Sequence, residues 1–182
     1  AGNIAMVSAV NKKFGQRGLP TYVIGEMVGQ ALGAVEYLHS NNVVHRDIRA
    51  ESCVVDTLQV IGQPFRVLLG DLNCAHRVEK GIFVKVPLGA PEYWAPEVIA
   101  RRYSLEADLW AVGVVLWSLL AMQVPFADLE AAVHMPLARH HGISEEQFEL
   151  SSQLLQKSPE SRISARDALE NPWLQGCRAR HR

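Results

Sequence analysis

The chain has 182 residues, of which 48% are hydrophobic, and its formal net charge is -1. This length suits one compact domain with a sizeable core. The near-neutral charge gives no reason to expect a nucleic acid or an anionic membrane as a partner, and no membrane insertion is expected.

The first 20 residues are interpreted as a partial lead-in to the domain. They lack the basic start and long apolar run of a signal peptide. Because residue 1 is Ala and not Met, we expect the chain to be part of a longer polypeptide. The next element is an amphipathic helix, predicted by apolar residues at helical spacing. Its apolar stripe consists of Val28, Ala31, Leu32, Val35 and Leu38.

Three glycines, Gly25, Gly29 and Gly33, interrupt this predicted helix at four-residue intervals. The interval would permit close helix packing, but small residues beneath a bulky neighbour are the simpler interpretation. No strand precedes them and the G-x-G-x-x-G spacing is missing, so they do not predict a phosphate-binding loop.

Five short motifs follow this helix along the chain. The first runs from His45 to Ser52 and reads His-Arg-Asp-Ile-Arg-Ala-Glu-Ser. The second is Asp71-Leu72-Asn73, and the apolar run before it, from Phe65 to Leu69, predicts a buried strand. The third runs from Gly89 to Glu97 and reads Gly-Ala-Pro-Glu-Tyr-Trp-Ala-Pro-Glu.

The last two motifs flank the most apolar part of the chain. Asp108 to Gly113 opens a run without charges that extends from Leu109 to Met122. Because a membrane-spanning helix needs about 20 apolar residues, this shorter run predicts a buried core helix. The fifth motif joins Ser158 to Arg162 with Asn171 to Leu174, and residues 176–182 then predict a solvated basic tail.

In this order and spacing, the motifs resemble those of the large, C-terminal lobe of eukaryotic-type protein kinases. The family patterns are H-R-D-L-x-x-x-N, D-F-G, G-T-P-E-Y-x-A-P-E, D-x-W-x-x-G, and D-P-x-x-R followed by H-P-W. The resemblance covers residues 1–182 and implies a mainly α fold, a helical bundle with short β-ribbons near the first two motifs. The Pro-Trp-Leu ending resembles calmodulin-dependent-kinase-like Ser/Thr kinases, including the kinase domains of giant muscle proteins.

The family's small, N-terminal lobe has no counterpart before residue 25. That lobe carries a Gly-rich loop over the ATP phosphates, a strand lysine in V-A-I-K and a helix Glu that pairs with it. Asn11 to Phe14 contains lysines but no apolar strand pattern around them. We therefore expect the large lobe alone.

The resemblance implies roles for four residues of a catalytic site. Asp47 stands where the family's Asp receives the proton of the substrate hydroxyl, and Arg49 where a Lys stabilises the transferring phosphoryl group. Asp71 corresponds to the magnesium-binding Asp of D-F-G, and Ser52 replaces the Asn that holds a second magnesium ion. The shorter hydroxyl would reach Mg²⁺ only through water. ATP and Mg²⁺ are therefore expected as weak ligands, not required for the fold.

Three further departures from the family pattern lie near these residues. Leu72 replaces the Phe of D-F-G and still suits an apolar slot. Asn73 replaces the Gly, and Asn tolerates left-handed backbone better than most residues do. Ala90 replaces a Thr whose hydroxyl bonds the catalytic Asp, so we expect Asp47 to be less firmly oriented.

Residues 71–97 correspond to the activation segment of the kinase family. Between Cys74 and Glu92 this segment contains no Ser, Thr or Tyr. The family's equivalent of Arg46 commonly grips a phosphate on this loop. Without a phosphorylatable side chain before Tyr93, switching by an Arg–phosphate contact is not expected.

Other motif residues have structural interpretations. His45 and Arg46 are expected to tie the catalytic loop to the core, and Glu97 to form a buried pair with Arg162. Asp108 is expected to cap the core helix and to hold the catalytic-loop backbone. Tyr93 and Trp94 are placed on the substrate side by the resemblance, and Trp110, Trp117 and Trp173 are predicted core residues. For Asp47 and Asp71, a functional site and an evolutionary relic are equally supported.

The cysteines and the motifs together lead to one functional prediction with an alternative. Three cysteines without metal-ligand spacing, Cys53, Cys74 and Cys177, argue against a disulfide framework and predict an intracellular, cytoplasmic setting. The prediction is a degenerate kinase-like domain, inactive as an isolated chain, that binds proteins through the groove around Tyr93 and Trp94 and through helices from Pro125 to His141. The alternative is the large lobe of a Ser/Thr kinase that transfers the ATP γ-phosphate to a protein hydroxyl, with its small lobe upstream.

Overall fold

The computed structural model describes residues 2–13, 18–79 and 81–181. The helices in these ranges are α1 (Ile4–Lys13), α2 (Thr21–Ser40), α3 (Pro96–Ile99), α4 (Glu106–Ala121), α5 (Leu129–His134), α6 (Glu145–Leu154), α7 (Ala165–Leu169) and α8 (Pro172–His181). The strands are β1 (Gly2–Asn3), β2 (Val43–Val44), β3 (Cys53–Val55), β4 (Val67–Leu69) and β5 (His76–Arg77). Short 3₁₀ turns occupy Leu72–Cys74, Pro91–Tyr93 and Pro159–Ser161. The predicted mainly α architecture is confirmed.

The two longest helices, α2 and α4, pass through the core. In α2 the predicted apolar stripe is buried from Val28 to Val35, while Leu38 is half-buried near the helix end. In α4 nearly every face is buried, which explains a run without charges in place of an amphipathic pattern. The predicted core helix is therefore confirmed, and it ends at Ala121, before the left-handed Met122.

The glycines of α2 do not interrupt the helix; two of them admit α8. A Cβ on Gly25 would lie 2.4 Å from the Cys177 sulfur, so the two helices pack in direct contact there. At Gly29 the neighbour is the bulky Arg178, whose guanidinium donates to the Gly29 carbonyl at 3.1 Å. Both interpretations of the glycines thus apply, each at its own position. The tail predicted to be solvated is helical, because α8 continues to His181. One of its residues, Arg178, was wrongly predicted to be solvated and packs on α2.

Short antiparallel ribbons flank the catalytic loop, as predicted. Strands β1, β3 and β4 form one sheet in that order, and β2 pairs with β5. The strand predicted from Phe65 to Leu69 is buried on one side only, since Val67 faces the core while Leu68 is 61% exposed. The free edge of this strand is met by Gln30 of α2, which accepts from Val67 N at 2.7 Å and donates to the Phe65 carbonyl at 3.2 Å.

The lead-in before α2 is an integral part of the core. Ile4 and Val7 of α1 are fully buried, and Asn3 accepts a hydrogen bond from Met6 N at 2.9 Å in the first turn of the helix. The lysines at positions 12 and 13 lie in this helix, while Phe14 lies outside the described residues. Among the described helices, none is long and apolar enough to cross a membrane.

The region from Pro125 to His141 contains less helix than predicted. Only α5, from Leu129 to His134, is helical. Asp128 caps this helix by accepting from Ala131 N at 2.8 Å, and Pro136 follows closely. Because proline disfavours helical backbone in the residue before it, the helix ends at this point.

Candidate functional site

The catalytic-loop backbone is held by one buried carboxylate, that of Asp108. This side chain is 2% exposed and accepts from His45 N at 2.8 Å and from Arg46 N at 3.0 Å. The ring Nε2 of His39 lies 3.0 Å from the same carboxylate. Asp108 therefore holds the loop, but it does not cap α4: the helix begins at Glu106, and Asp108 lies in its first turn with its oxygens directed at the loop.

His45 links the loop to the residue that precedes Asp71. Its ring is fully buried, with Nε2 2.9 Å from the Gly70 carbonyl. The other ring nitrogen accepts from Asp47 N at 3.3 Å, so the proton belongs on Nε2. The loop and the strand end before Asp71 are thereby fixed relative to each other.

The Arg46 side chain binds a backbone carbonyl of the activation segment. The residue has a left-handed φ of 69°, and its Nε donates to the Cys74 carbonyl at 2.5 Å. The position that the resemblance assigns to phosphate binding is occupied here by a main-chain oxygen. This contact orders the start of the segment without any modification.

Asp47 is oriented by a main-chain donor. Its Oδ1 accepts from Ala90 N at 3.3 Å and lies 3.8 Å from Arg49 Nε. The backbone of Ala90 thus supplies one donor to Asp47, while the weaker orientation expected from the lost hydroxyl stays a prediction. The approach depends on Gly89, whose φ is 80° and whose position leaves no room for a Cβ beside the Arg46 carbonyl, 2.5 Å away.

The hydroxyl of Ser52 is engaged within the loop itself. It donates to the Arg49 carbonyl at 2.9 Å and accepts from Arg49 N at 3.0 Å. Ser52 is only 4% exposed. A magnesium ion needs accessible oxygen ligands in near-octahedral geometry. A buried hydroxyl that already makes two backbone bonds does not fit that requirement.

Asp71 presents an exposed carboxylate outside the pocket that contains Asp47. Its backbone is left-handed, with φ 60° and ψ 56°, and its Oδ1 accepts from Asn73 Nδ2 at 2.7 Å. An exposed carboxylate of this kind fits a single magnesium contact completed by water. In the part of the chain that the structure describes, no group of three or more His, Cys, Asp or Glu side chains is arranged to hold a metal ion.

Two expectations beside Asp71 require correction. The left-handed residue is Asp71, one position before the 3₁₀ turn that contains Asn73, because the turn itself requires right-handed dihedrals. Leu72 does not occupy an apolar slot and is 52% exposed, since the turn Leu72–Cys74 buries none of its residues.

Tyr93 and Trp94 line a small pocket beside Asp47. Trp94 Nε1 donates to the Leu88 carbonyl at 2.8 Å, which fixes the indole against the activation segment. Tyr93 is half-buried; burial raises the pKa of its phenol, and the Glu51 carboxylate raises it further. Asp47, Tyr93 and Trp94 are therefore brought together.

The activation segment is also fastened at its middle and at its end. Val84 and Tyr103 form an antiparallel bridge, and the Tyr103 hydroxyl donates to the Val86 carbonyl at 2.7 Å. At the end of the segment, Glu97 forms the expected buried pair with Arg162, whose NH2 lies 3.0 Å from Glu97 Oε2.

Comparison with known proteins agrees with this geometry. A family profile described as protein kinase domain matches residues 6–174. The chain belongs to the protein kinase domain family.

Three relatives show the range of similarity. The chain is 35% identical to the PAS domain-containing serine/threonine-protein kinase of Mus musculus over 151 residues, which cover 80% of this chain and 10% of that protein. It is 31% identical to calcium/calmodulin-dependent protein kinase type 1B of Rattus norvegicus over 164 residues, covering 82% and 46%. It is 32% identical to the phosphorylase b kinase gamma catalytic chain, liver/testis isoform, of Homo sapiens over 163 residues, covering 80% and 39%. The chain spans less than half the length of each of these relatives.

Within this kinase domain the predicted site residues divide into two groups. Asp47 and Arg49 face each other, and Tyr93 and Trp94 share a pocket with Asp47. Ser52 and Asp71 do not line that pocket. Of the predicted core tryptophans, Trp110 and Trp117 are buried and Trp173 is half-buried.

Sequence reasoning missed two residues that support this site. His39 contacts the Asp108 carboxylate, and Tyr103 anchors the activation segment. His39 lies in the last turn of the long helix α2, where a polar side chain is ordinarily exposed to solvent. Tyr103 follows two exposed arginines in a short connection, and no spacing pattern marked either residue.

Proposed function

We propose that this protein kinase domain is degenerate and works mainly by binding other proteins, and that the isolated chain does not transfer phosphate. The observation that carries the proposal is the state of Ser52. Its hydroxyl is buried and bonded twice to the backbone of Arg49, at the position where the family holds a second magnesium ion. Phosphoryl transfer depends on positioning and on charge neutralisation, so a lost metal ligand weakens it strongly.

The activation segment supports the same proposal. The segment is anchored through two main-chain oxygens: the Cys74 carbonyl accepts from Arg46 Nε, and the Val86 carbonyl accepts from the Tyr103 hydroxyl. Between Cys74 and Glu92 the segment has no hydroxyl side chain. A segment that is fastened in this way presents a fixed surface. Fixed surfaces suit protein recognition, because little ordering entropy is lost on binding.

One observation favours the alternative, a protein Ser/Thr kinase. The Asp47 carboxylate is oriented by Ala90 N and lies 3.8 Å from Arg49 Nε, and the relatives above are named as kinases. In that alternative Asp47 orients the substrate hydroxyl and accepts its proton, while Arg49 stabilises negative charge on the transferred group. ATP would supply the γ-phosphoryl group, and Asp71 would hold one magnesium ion.

We further propose an intracellular, cytoplasmic setting within a longer polypeptide, with proteins as partners or substrates. Cys53 and Cys74 are free thiols, and burial raises the pKa of the Cys53 thiol to about 12, so that thiol is unreactive. Free thiols of this kind are typical of reducing compartments.

Nucleotide binding tests the proposed function. We expect ATP, with or without magnesium, to raise the melting temperature of the chain by less than about 1 °C, because RT ln(1 + [L]/Kd) is small for a weak ligand. The matched variants are Ser52→Asn, which restores the family's carboxamide, and Asp71→Asn, which removes the fitted metal ligand. A magnesium-dependent rise of several degrees that Asp71→Asn abolishes would contradict the proposal.

A further inference from the structure

The activation segment exposes a row of apolar side chains around one short β-bridge. Val84 pairs with Tyr103 in an antiparallel bridge, in which the amide of each residue donates to the carbonyl of the other, at 2.8 and 3.2 Å. On either side of the bridge, Ile82 is 60% exposed, Phe83 37% and Val86 61%. Apolar side chains grouped in this way on a surface mark an interaction site more clearly than scattered ones do.

The outer edge of this bridge carries unpaired backbone groups. Because both backbone groups of Val84 point inward to Tyr103, those of its neighbours Phe83 and Lys85 point to the opposite side. In the part of the chain that the structure describes, no hydrogen bond reaches the amide or the carbonyl of either neighbour. Both neighbours are exposed residues. An exposed strand edge of β-branched and aromatic residues is a template on which a further strand can pair.

The sequence around Val84 is complementary to itself in the antiparallel direction. When two copies of the segment pair with Val84 opposite Val84, Phe83 of one copy lies opposite Lys85 of the other, in the hydrogen-bonded positions. One step further out, Ile82 of one copy lies opposite Val86 of the other. The facing side chains are thus an aromatic ring with a cation and an apolar group with an apolar group, and each pair is repeated by the two-fold axis.

The segment is fixed in place before any partner arrives. The Arg102 guanidinium lies 3.8 Å from the centroid of the Phe83 ring and holds that ring beside the bridge. The Val86 carbonyl accepts from the Tyr103 hydroxyl at 2.7 Å, while the Val86 side chain stays exposed. Little conformational entropy is therefore lost when a second strand covers this edge.

We propose that this edge binds the same edge of a second copy of the chain, as a two-fold antiparallel pair centred on Val84. Backbone hydrogen bonds join Phe83 of each copy to Lys85 of the other. The assembly closes as a dimer, since the inner edge of each segment is already bonded to Tyr103. The inference goes beyond the proposed function, because it names one partner and does not depend on whether the chain transfers phosphate.

Lys85 favours a second copy over an unrelated apolar strand. A lysine on an exposed edge ordinarily hinders pairing, because an apolar neighbour offers its ammonium group no favourable contact. In the self-paired register this lysine faces the Phe83 ring, to which a cation is attracted. The two ammonium groups of the dimer lie diagonal to each other, so added salt, which screens their repulsion, should strengthen the pair slightly.

Sedimentation equilibrium of the chain tests both the pairing and its register. An interface this short predicts a weak dimer with a dissociation constant on the order of 100 µM, so the chain is loaded at about 10 to 500 µM. Ile82→Glu and Val86→Lys should each weaken dimerisation by at least about tenfold, because each places a charge against an apolar side chain. The double variant with both changes should dimerise about as strongly as the unchanged chain, since the two new charges are opposite in sign and face each other across the axis.

The control variant is Leu68→Glu, which changes a residue of β4 that is 61% exposed and lies outside the activation segment. It should dimerise as the unchanged chain does, and circular dichroism should show that all variants are folded. The proposal is overturned if the chain stays monomeric at the highest concentration, if Leu68→Glu dissolves the dimer, or if the double variant is as weak as the single ones. Assemblies larger than a dimer would also overturn it. Each of these results leaves the proposed function standing, since that function is contradicted only by nucleotide binding or phosphate transfer.

Discussion

Hydrogen bonds to main-chain atoms explain how the catalytic loop keeps its shape while its side chains depart from the family pattern. Asp108 binds two loop amides, and Ala90 N binds Asp47 without needing a hydroxyl. Ser52 closes the loop on itself through Arg49. The loop therefore keeps its shape although Ser52 and Ala90 depart from the family pattern.

Arg162 is the residue whose loss should be most damaging to stability. It donates to the Glu97 carboxylate and to the carbonyls of Gln156 and Glu106, and its side chain is fully buried. Arg162→Ala leaves Glu97 charged and unpaired, so we expect a loss of about 3–5 kcal/mol in the free energy of unfolding, measured with urea. The control is Arg166→Ala, which removes a side chain that is 80% exposed and pairs with Glu36; this change should cost less than about 1 kcal/mol. Equal effects of the two variants would refute the role given to Arg162.

The side-chain pairs that follow from sequence motifs were easier to predict than the directions of individual groups. The Glu97–Arg162 pair was expected from the resemblance to protein kinases and is present. The direction of the Ser52 hydroxyl was not predictable, because a serine hydroxyl can bond either to nearby backbone groups or to a ligand. The left-handed backbone at Asp71 in place of Asn73 depends on where one short turn begins.

The contact between α2 and α8 depends on the absence of a side chain at Gly25. A Cβ there would lie 2.4 Å from the Cys177 sulfur, whereas at Gly33 nothing lies within 4 Å. We expect Gly25→Ala to lower the free energy of unfolding by about 1–3 kcal/mol through overpacking. Gly33→Ala, in the same helix, should raise it by about 0.5–1 kcal/mol through reduced backbone entropy. Chemical unfolding of the two variants gives the comparison, and changes of the same sign would show that packing at Gly25 is not tight.

The long helices were predicted from local sequence patterns, whereas the short ribbons were implied only by the resemblance to protein kinases. The period of the apolar residues marked α2, and the uncharged run marked α4, because both helices bury large surfaces. The two-residue strands and α5 form through contacts with residues that are distant in sequence, and no local sequence pattern predicts them. Leu68 shows the limit: an apolar run suggested full burial, but the sheet covers only one of its faces.

The whole domain combines a well-anchored kinase-family fold with a site whose parts are unevenly retained. The larger of two clusters of buried apolar residues reaches from Ile4 in α1 to Leu174 in α8. The second cluster lies beneath α5 and α6. The Asp47 pocket keeps its geometry, whereas the position of Ser52 does not offer a metal ligand. The serine in place of the family's Asn at position 52 suggested this contrast. The hydrogen bonds between the Ser52 hydroxyl and the Arg49 backbone give its physical cause.

The proposal that the chain does not transfer phosphate is tested most directly by an assay with labelled ATP. The assay measures transfer of the γ-phosphate to a generic protein substrate in the presence of magnesium. The chain should be compared with Asp47→Asn, which keeps the shape of the side chain but removes the base. We predict equal background incorporation for the two proteins, and the same background for Ser52→Asn, because phosphoryl transfer needs ATP to be positioned and its charge neutralised, and the proposed degenerate domain binds ATP and magnesium too weakly for either. Incorporation that exceeds background and falls by about tenfold or more in Asp47→Asn would show an active kinase and would contradict the account.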